Sequence, residues 1–240
     1  LNDLALRAAQ GIDNQGATIR AGGTVLLTGG IDPDALGLDN RGGTLDAGRL
    51  LADITGDIDT SDGTIQVSDW AAIYSTGNLS AVDGTFTSQT GDLSLTADGD
   101  LRLTASRVAA LSGTVYLWAS RDVRLDGYSQ HSESQTRQTT QSGTHAAQTR
   151  FSEGDAPLQS SATDTVTTDT ETDTYHGTDI DGQRVLVRAG RDLDATGSRI
   201  HGRDSIDLAA GRDLAIRAAL DQTHTDTTTS HQHTDYATWN

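Results

Sequence analysis

The chain has 240 residues, of which 34% are hydrophobic and 4% aromatic, too little apolar mass for a thick globular core. Its net charge of −17 excludes the basic face that nucleic-acid phosphates require, and the absence of Cys excludes disulfides and thiolate metal sites. No run approaches the roughly 18 apolar residues of a membrane-spanning helix, no signal peptide opens the sequence, and a start at Leu with no Met anywhere reads as an interior piece of a longer polypeptide.

Taken in chain order, one motif recurs: "IDNQGATI" at 12–19, "LDNRGGTL" at 38–45, "IDTSDGTI" at 58–65 and "LSAVDGTF" at 79–86. With its first apolar residue as position zero, a column runs through Ile12, Leu38, Ile58, Leu79, Leu101, Val123, Leu193 and Leu214, in steps of 20–22 residues outside two long gaps. A second column precedes it by eight and six residues, as Leu4/Leu6, Leu50/Ala52, Ala71/Ile73, Leu93/Leu95, Val115/Leu117, Val185/Val187 and Ile206/Leu208. Val25/Leu27 stand farther from Leu38 because "GGIDPDALG" adds a surface loop. A third column follows by seven residues, through Ile19, Leu45, Ile65, Phe86, Val108 and Ile200. Each unit therefore has three short alternating segments separated by Gly, Asp, Asn and Ser, which is strand and turn chemistry. A single such strand cannot bury its own face, whereas stacking equivalent strands about 4.8 Å apart builds a continuous thin core. The pattern predicts an all-β chain: a right-handed parallel β-helix of about eight coils, with "LDNRGGTL" as a corner.

The period breaks twice. After Val123 and Leu125 a polar segment, 128–181, interrupts it, and coils resume over 182–218. A second polar tract begins at 219 and runs to 240. Coils over 1–127 complete the expected organisation. The tract "TDTVTTDTETDTYH" has strand-forming residues but no apolar face. Disorder is one reading of this composition; a Thr-rich, two-stranded arm extruded from the rod is the favoured one.

Several residues carry candidate chemistry. Asp13, Asp39 and Asp59 should stack outward on consecutive coils, as a solvated acidic face or a cation site. Asn14 and Asn40 should point inward and hydrogen-bond along the stack. Asp57, Asn78, Asp100, Asp122, Asp192 and Asp213, one before position zero, are paired carboxylates in the manner of a glycosidase or turn residues bonding their own backbone two positions on. Regular recurrence favours the turn role. His131, His145, His176, His224, His231 and His233 lie mainly in the polar tracts, and H-x-H spacing alone is a weak zinc signal. Trp70 and Trp118 should cover coil edges, and Trp239 beside Tyr236 should be exposed. No catalytic, cofactor-binding or metal position is assigned, and no cofactor.

The units flanking the polar segment, "GDLSLTADGDLRLTASRVAALSGTVYLWASRDVRLDGYSQHSESQT" and "GQRVLVRAGRDLDATGSRIHGRDSIDLAAGRDLAIRAALDQTHTDT", align with each other. Their "AGRDL…GS" and "AAGRDL.I.AA" runs, each followed by an H-[ST]-[ED]-[ST] tract, resemble the haemagglutinin repeats of filamentous haemagglutinins and contact-dependent growth inhibition effectors. The resemblance implies a non-catalytic rod segment of a two-partner-secreted protein displayed on a bacterial cell surface. Such a protein presents adhesive surfaces or holds a C-terminal toxin toward neighbouring bacteria. The implied partners are an outer membrane secretion partner for the full-length protein and a target-cell surface or outer membrane component. Self-association through arms or rod ends is expected, with neither nucleic acid nor a small-molecule substrate. The competing function is a carbohydrate-active β-helix enzyme.

Overall fold

The computed structural model describes residues 2–32, 34–145 and 158–237, and every regular element among them is a β-strand. The chain forms two compact units, one of Leu1–Ser129 with Tyr175–Leu220, the other of Gln130–Thr174 with Asp221–Asn240.

The first unit is a right-handed parallel β-helix. Position zero stacks in register from Ile12 through Leu38, Ile58, Leu79, Leu101, Val123 and Leu193 to Leu214. The preceding column pairs Leu4, Val25, Leu50, Ala71, Leu93, Val115, Val185 and Ile206 in the same manner. Between the ends these side chains are fully buried, and alternate residues face outward, as the period of two demands. In the last described coil, where no further described coil covers them, Ile206, Leu214 and Ile216 are exposed. The "GGIDPDALG" insertion is a surface loop with Ile31 exposed.

The corner motif is built on one backbone geometry. Four residues after position zero, Gly16, Gly42, Asp62, Asp83, Ala105 and Gly197 all adopt φ between 48° and 61°. Glycine enters this region at little cost, whereas Asp and Ala are held there by the coils around them. Inside the same corner Asn14 and Asn40 are buried, and Asn14 Nδ2 donates to Asn40 Oδ1 at 2.7 Å, as expected. The ladder stops at Thr60, whose buried hydroxyl has no hydrogen-bond partner.

One expectation is corrected. The segment 128–181 does contribute to the apolar columns, because Ile180, on the strand Asp179–Ala189, pairs with Val108 and Ile200 and is fully buried. The seven-residue offset that would have revealed it is interrupted by the insertion, and a single Ile at the end of a Thr/Asp run carries no period of its own. Thr178 beside it is also buried, its hydroxyl donating at 2.9 Å to the Leu103 or Asp126 carbonyl. At the other boundary, the Tyr128 hydroxyl bonds the Asp83 carboxylate at 3.0 and 3.1 Å, and the Tyr175 hydroxyl bonds Asp126 at 2.7 Å. These contacts place Tyr128 and Tyr175 in the solenoid.

The second unit is a polar antiparallel sheet. The outgoing strand Val123–His145 passes into it, the return strand Leu158–Gly177 pairs with that strand, and the second outgoing strand Gln222–Ala237 pairs with the other edge of the return strand. Within the tract 219–240, read as the start of a separate arm, the strand Gln222–Ala237 thus joins the same sheet as the first. Segment 146–157 and Trp239 lie outside the described residues.

Candidate functional site

The carboxylates one before position zero line a corner of the solenoid. The expectation that they bond their own backbone two residues on is corrected: all but the last, Asp213, accept the amide of their counterpart in the next coil. Asp57 Oδ1 accepts the Asn78 amide at 2.6 Å, and Asn78 Oδ1 accepts that of Asp100 at 2.9 Å. Asp100, Asp122 and Asp192 accept the amides of Asp122, Asp192 and Asp213, each at 3.3 Å. Coil spacing explains the difference, since an amide about 4.8 Å along the stack is within reach of a short Asp side chain. The role given up by this column is taken by Asp13, Asp39 and Asp59, which accept the amides of Gln15, Arg41 and Ser61 two residues on.

The recurrent Gly-Arg-Asp-Leu run follows from the same geometry. Arg121 Nε reaches back one coil to Asp100 Oδ1 at 3.0 Å, and Arg191 forks onto Asp122 at 3.1 and 3.0 Å. Arg212 forks onto Asp192 in the same way. The preceding glycines permit close approach: a Cβ on Gly190 would stand 2.1 Å from the Ser120 carbonyl oxygen, and one on Gly211 2.2 Å from that of Gly190. Burial pushes the Asp100 carboxyl up, but hydrogen bonds from Arg102 and the Asp122 amide and the charges of Arg121 and Arg102 outweigh it and hold the group below the ordinary carboxylate range. The Arg212 hydrogen bond lowers Asp192 likewise. A carboxylate held ionised by an amide and a guanidinium is a poor general acid near neutral pH. The chemistry of this corner is cross-bracing of coils.

In the second unit the alternation sorts side chains by type over 168–173 and 222–227. The pairings His131–Asp173 and Gln135–Asp169, with the register of the second outgoing strand, put Ser132, Ser134, Thr168, Thr170, Thr223 and Thr225 on one face. His131, Glu133, Asp169, Glu171, Asp173, His224 and Asp226 share the other. Asp169 stands directly opposite Asp226, a like-charge pair that weakens the sheet. His131 offsets part of this, with Nδ1 2.8 Å from Asp173 and Nε2 3.1 Å from Glu133. Hydrogen bonds to Asp173 and then Glu133 raise its pKa above the ordinary histidine value. His231 lies 2.7 Å from Asp164, and His224 3.2 Å from Asp226. His176 belongs to the solenoid, its ring 5.9 Å from that of Tyr128. Among the described residues no group of three or more His, Asp or Glu is placed to hold a metal ion.

Sequence reasoning missed one concentration of side chains. Trp70 and Trp118 are half-buried on outward positions, and so are Tyr74 and Tyr116. The register places Tyr116 beside Ser94, and Tyr74 and Trp118 on either side of Thr96. The signal was available, since these four aromatics fall on the outward parity of a chain with ten Trp, Tyr and Phe in all.

Comparison with known families gives one result for this arrangement: the model of the haemagglutinin repeat matches residues 74–234, more than half of the chain. No curated protein and no solved structure matches significantly.

Proposed function

The chain belongs to the haemagglutinin-repeat family, and from that premise we propose that it is a non-catalytic rod segment of a large, two-partner-secreted filamentous protein displayed on a bacterial surface. Membership implies a secreted or surface-exposed filamentous protein. The observation that carries the proposal is the continuous stacking of the apolar columns from Leu4 to Leu214, on both sides of the polar insertion, with register shifts confined to the stretches between columns. A scaffold so uniform serves to span distance and to space whatever it carries. In this reading the solenoid is the spacer, and the polar sheet and outward aromatics are contact surfaces for a target-cell surface or outer membrane component. They serve adhesion or the approach of a C-terminal toxin. The full-length protein requires an outer membrane secretion partner.

The test is a deletion in the full-length protein, with 130–174 replaced by a short Gly/Ser linker. Because Ile180 and Thr178 are structural, the cut must leave Tyr175 onward intact. Surface display is expected to persist while attachment to target cells, or killing of them, falls at least tenfold. Full attachment and killing by the deletion protein would remove the polar sheet from the functional account.

A further inference from the structure

We infer that the outer edge of residues 222–232, on the second outgoing strand Gln222–Ala237, is a docking site for an antiparallel strand of the return type: alternating Thr with Asp or Glu, as in Leu158–Gly177. The inference starts from the order of the polar sheet, outgoing, return, outgoing. The return strand has both edges paired. Among the described residues Gln222–Ala237 pairs only with that return strand, through an unbroken register from Asp173 opposite Gln222 to Leu158 opposite Ala237. Its second edge carries the same row of backbone donors and acceptors. Native edges are usually blunted by Pro, Lys, Arg or a bulge. Residues 222–232 have none of these and one carboxylate, Asp226, whereas the first outgoing strand carries Arg137 beside the equivalent carboxylate, Glu133.

The identity of the occupant follows from continuity with the interface already formed. His131-Ser132-Glu133-Ser134 on the first outgoing strand recurs as His224-Thr225-Asp226-Thr227 on the second. The first copy is bonded by its return strand, with His131 against Asp173 and Gln135 against Asp169. Applied to the second copy, that pairing puts an incoming Asp opposite His224 and leaves Thr228 opposite the residue equivalent to Asp169. A second molecule cannot donate its own return strand, because both edges of that strand are occupied. The donor is therefore the return strand of a further arm of the same repeat type, and successive arms join one continuing antiparallel sheet.

The probe is a synthetic peptide with the sequence of 158–177, added to the intact chain. Alternate amides within 223–232, those aimed away from the return strand, are expected to exchange at least about tenfold more slowly with the peptide than with a scrambled one. Since the chain has no Cys, the register is read by disulfide formation. Thr228→Cys should cross-link to a peptide carrying Asp169→Cys and not to one carrying Thr172→Cys. Unchanged exchange, equal slowing by the scrambled peptide, or cross-linking without register preference would overturn the inference. Slowing that appears on concentrating the chain alone would overturn it too, by showing that this edge pairs with itself.

Discussion

The two units use the same element, an alternating strand, and differ in what the alternation sorts. In the solenoid it separates Leu, Ile and Val from polar residues, so every in-register pair adds to a buried column. In the polar sheet it separates hydroxyls from ionisable groups over 168–173 and 222–227, mixes them beyond, where Asp164 and His231 share the face of Thr168 and Thr170, and leaves the strands at both edges exposed on both faces. A one-residue slip in the solenoid would turn its apolar set to solvent, whereas a slip in the sheet exchanges one polar face for another. Burial therefore fixes the register of the first unit, and cross-strand side-chain pairs such as His131–Asp173 must do so in the second.

The largest expected effect tests that difference at its source. Leu101 is fully buried between Leu79 and Val123. Leu101→Asp places an unpaired charge in the column and should cost roughly 4 kcal/mol, a large fraction of an ordinary domain's stability. Arg102→Asp changes an outward side chain that pairs with Asp100, and should cost about 1 kcal/mol or less. Equal losses in thermal denaturation would mean that the inward and outward assignments carry no energetic weight.

A smaller contrast uses glycine. The Cβ created by Gly190→Ala would meet the Ser120 carbonyl oxygen, so the coils must part there, at a cost of about 2 kcal/mol. Gly143, on the outgoing strand of the polar sheet, has no atom within 4 Å of its would-be Cβ. Gly143→Ala should be neutral or stabilising by up to about 1 kcal/mol, because it narrows the unfolded ensemble. The two melting curves should move in opposite directions or one should not move; a matched loss would contradict the open environment of Gly143.

What could be read from the sequence follows the same division. All three apolar columns were legible because burial imposes a period, and Asn14 and Asn40 were legible because they sit inside it. The failures lie where no period acts. Ile180 was lost because one apolar residue after a long insertion has no neighbour to set its phase. The Asp57 to Asp213 column was given the wrong bonding partner, and Asp13, Asp39 and Asp59 none, because residue type shows that Asp bonds backbone amides, while only the stacking distance shows whose. The joining of 222–237 to the first polar sheet was invisible, since polar alternation is compatible with many registers.

The units should also respond to pH in opposite senses. Asp39, Asp100 and Asp192 have pKa values lowered from the ordinary 3.8, so the folded solenoid binds their protons less readily than the unfolded chain. Their contribution is present above pH 3.8 and is lost as pH falls through the depressed values. His131 has a pKa raised from 6.5, so its contribution to the polar sheet is complete below that value and is lost as pH rises through the raised one. Protection factors for amide exchange, followed from pH 3 to 9, should fall at the acid end for the corner at Asp100 and at the alkaline end for residues near His131. Replacing His131 with Gln should flatten only the second profile; a persistent alkaline loss would assign it to another group.

The smallest effect concerns the corner that repeats along the solenoid. Gly16, Gly42 and Gly197 occupy the positive-φ position, but Ala105 occupies it at φ 48° with a Cβ that makes this conformation unfavourable. Its backbone amide still donates to the Asp126 carbonyl at 3.0 Å, so the stack holds the residue there against its preference. Ala105→Gly removes that local cost while adding freedom to the unfolded chain, and the balance at a positive-φ site favours Gly by about 0.5–1 kcal/mol. The same exchange made at Ala72, outward on a regular strand, should destabilise by a similar amount, because extended backbone suits Ala better than Gly. Opposite shifts of the denaturation midpoint would establish that the corner geometry, set by the coils, overrides the residue occupying it. A loss of stability in Ala105→Gly would show that its methyl contacts outweigh the backbone cost.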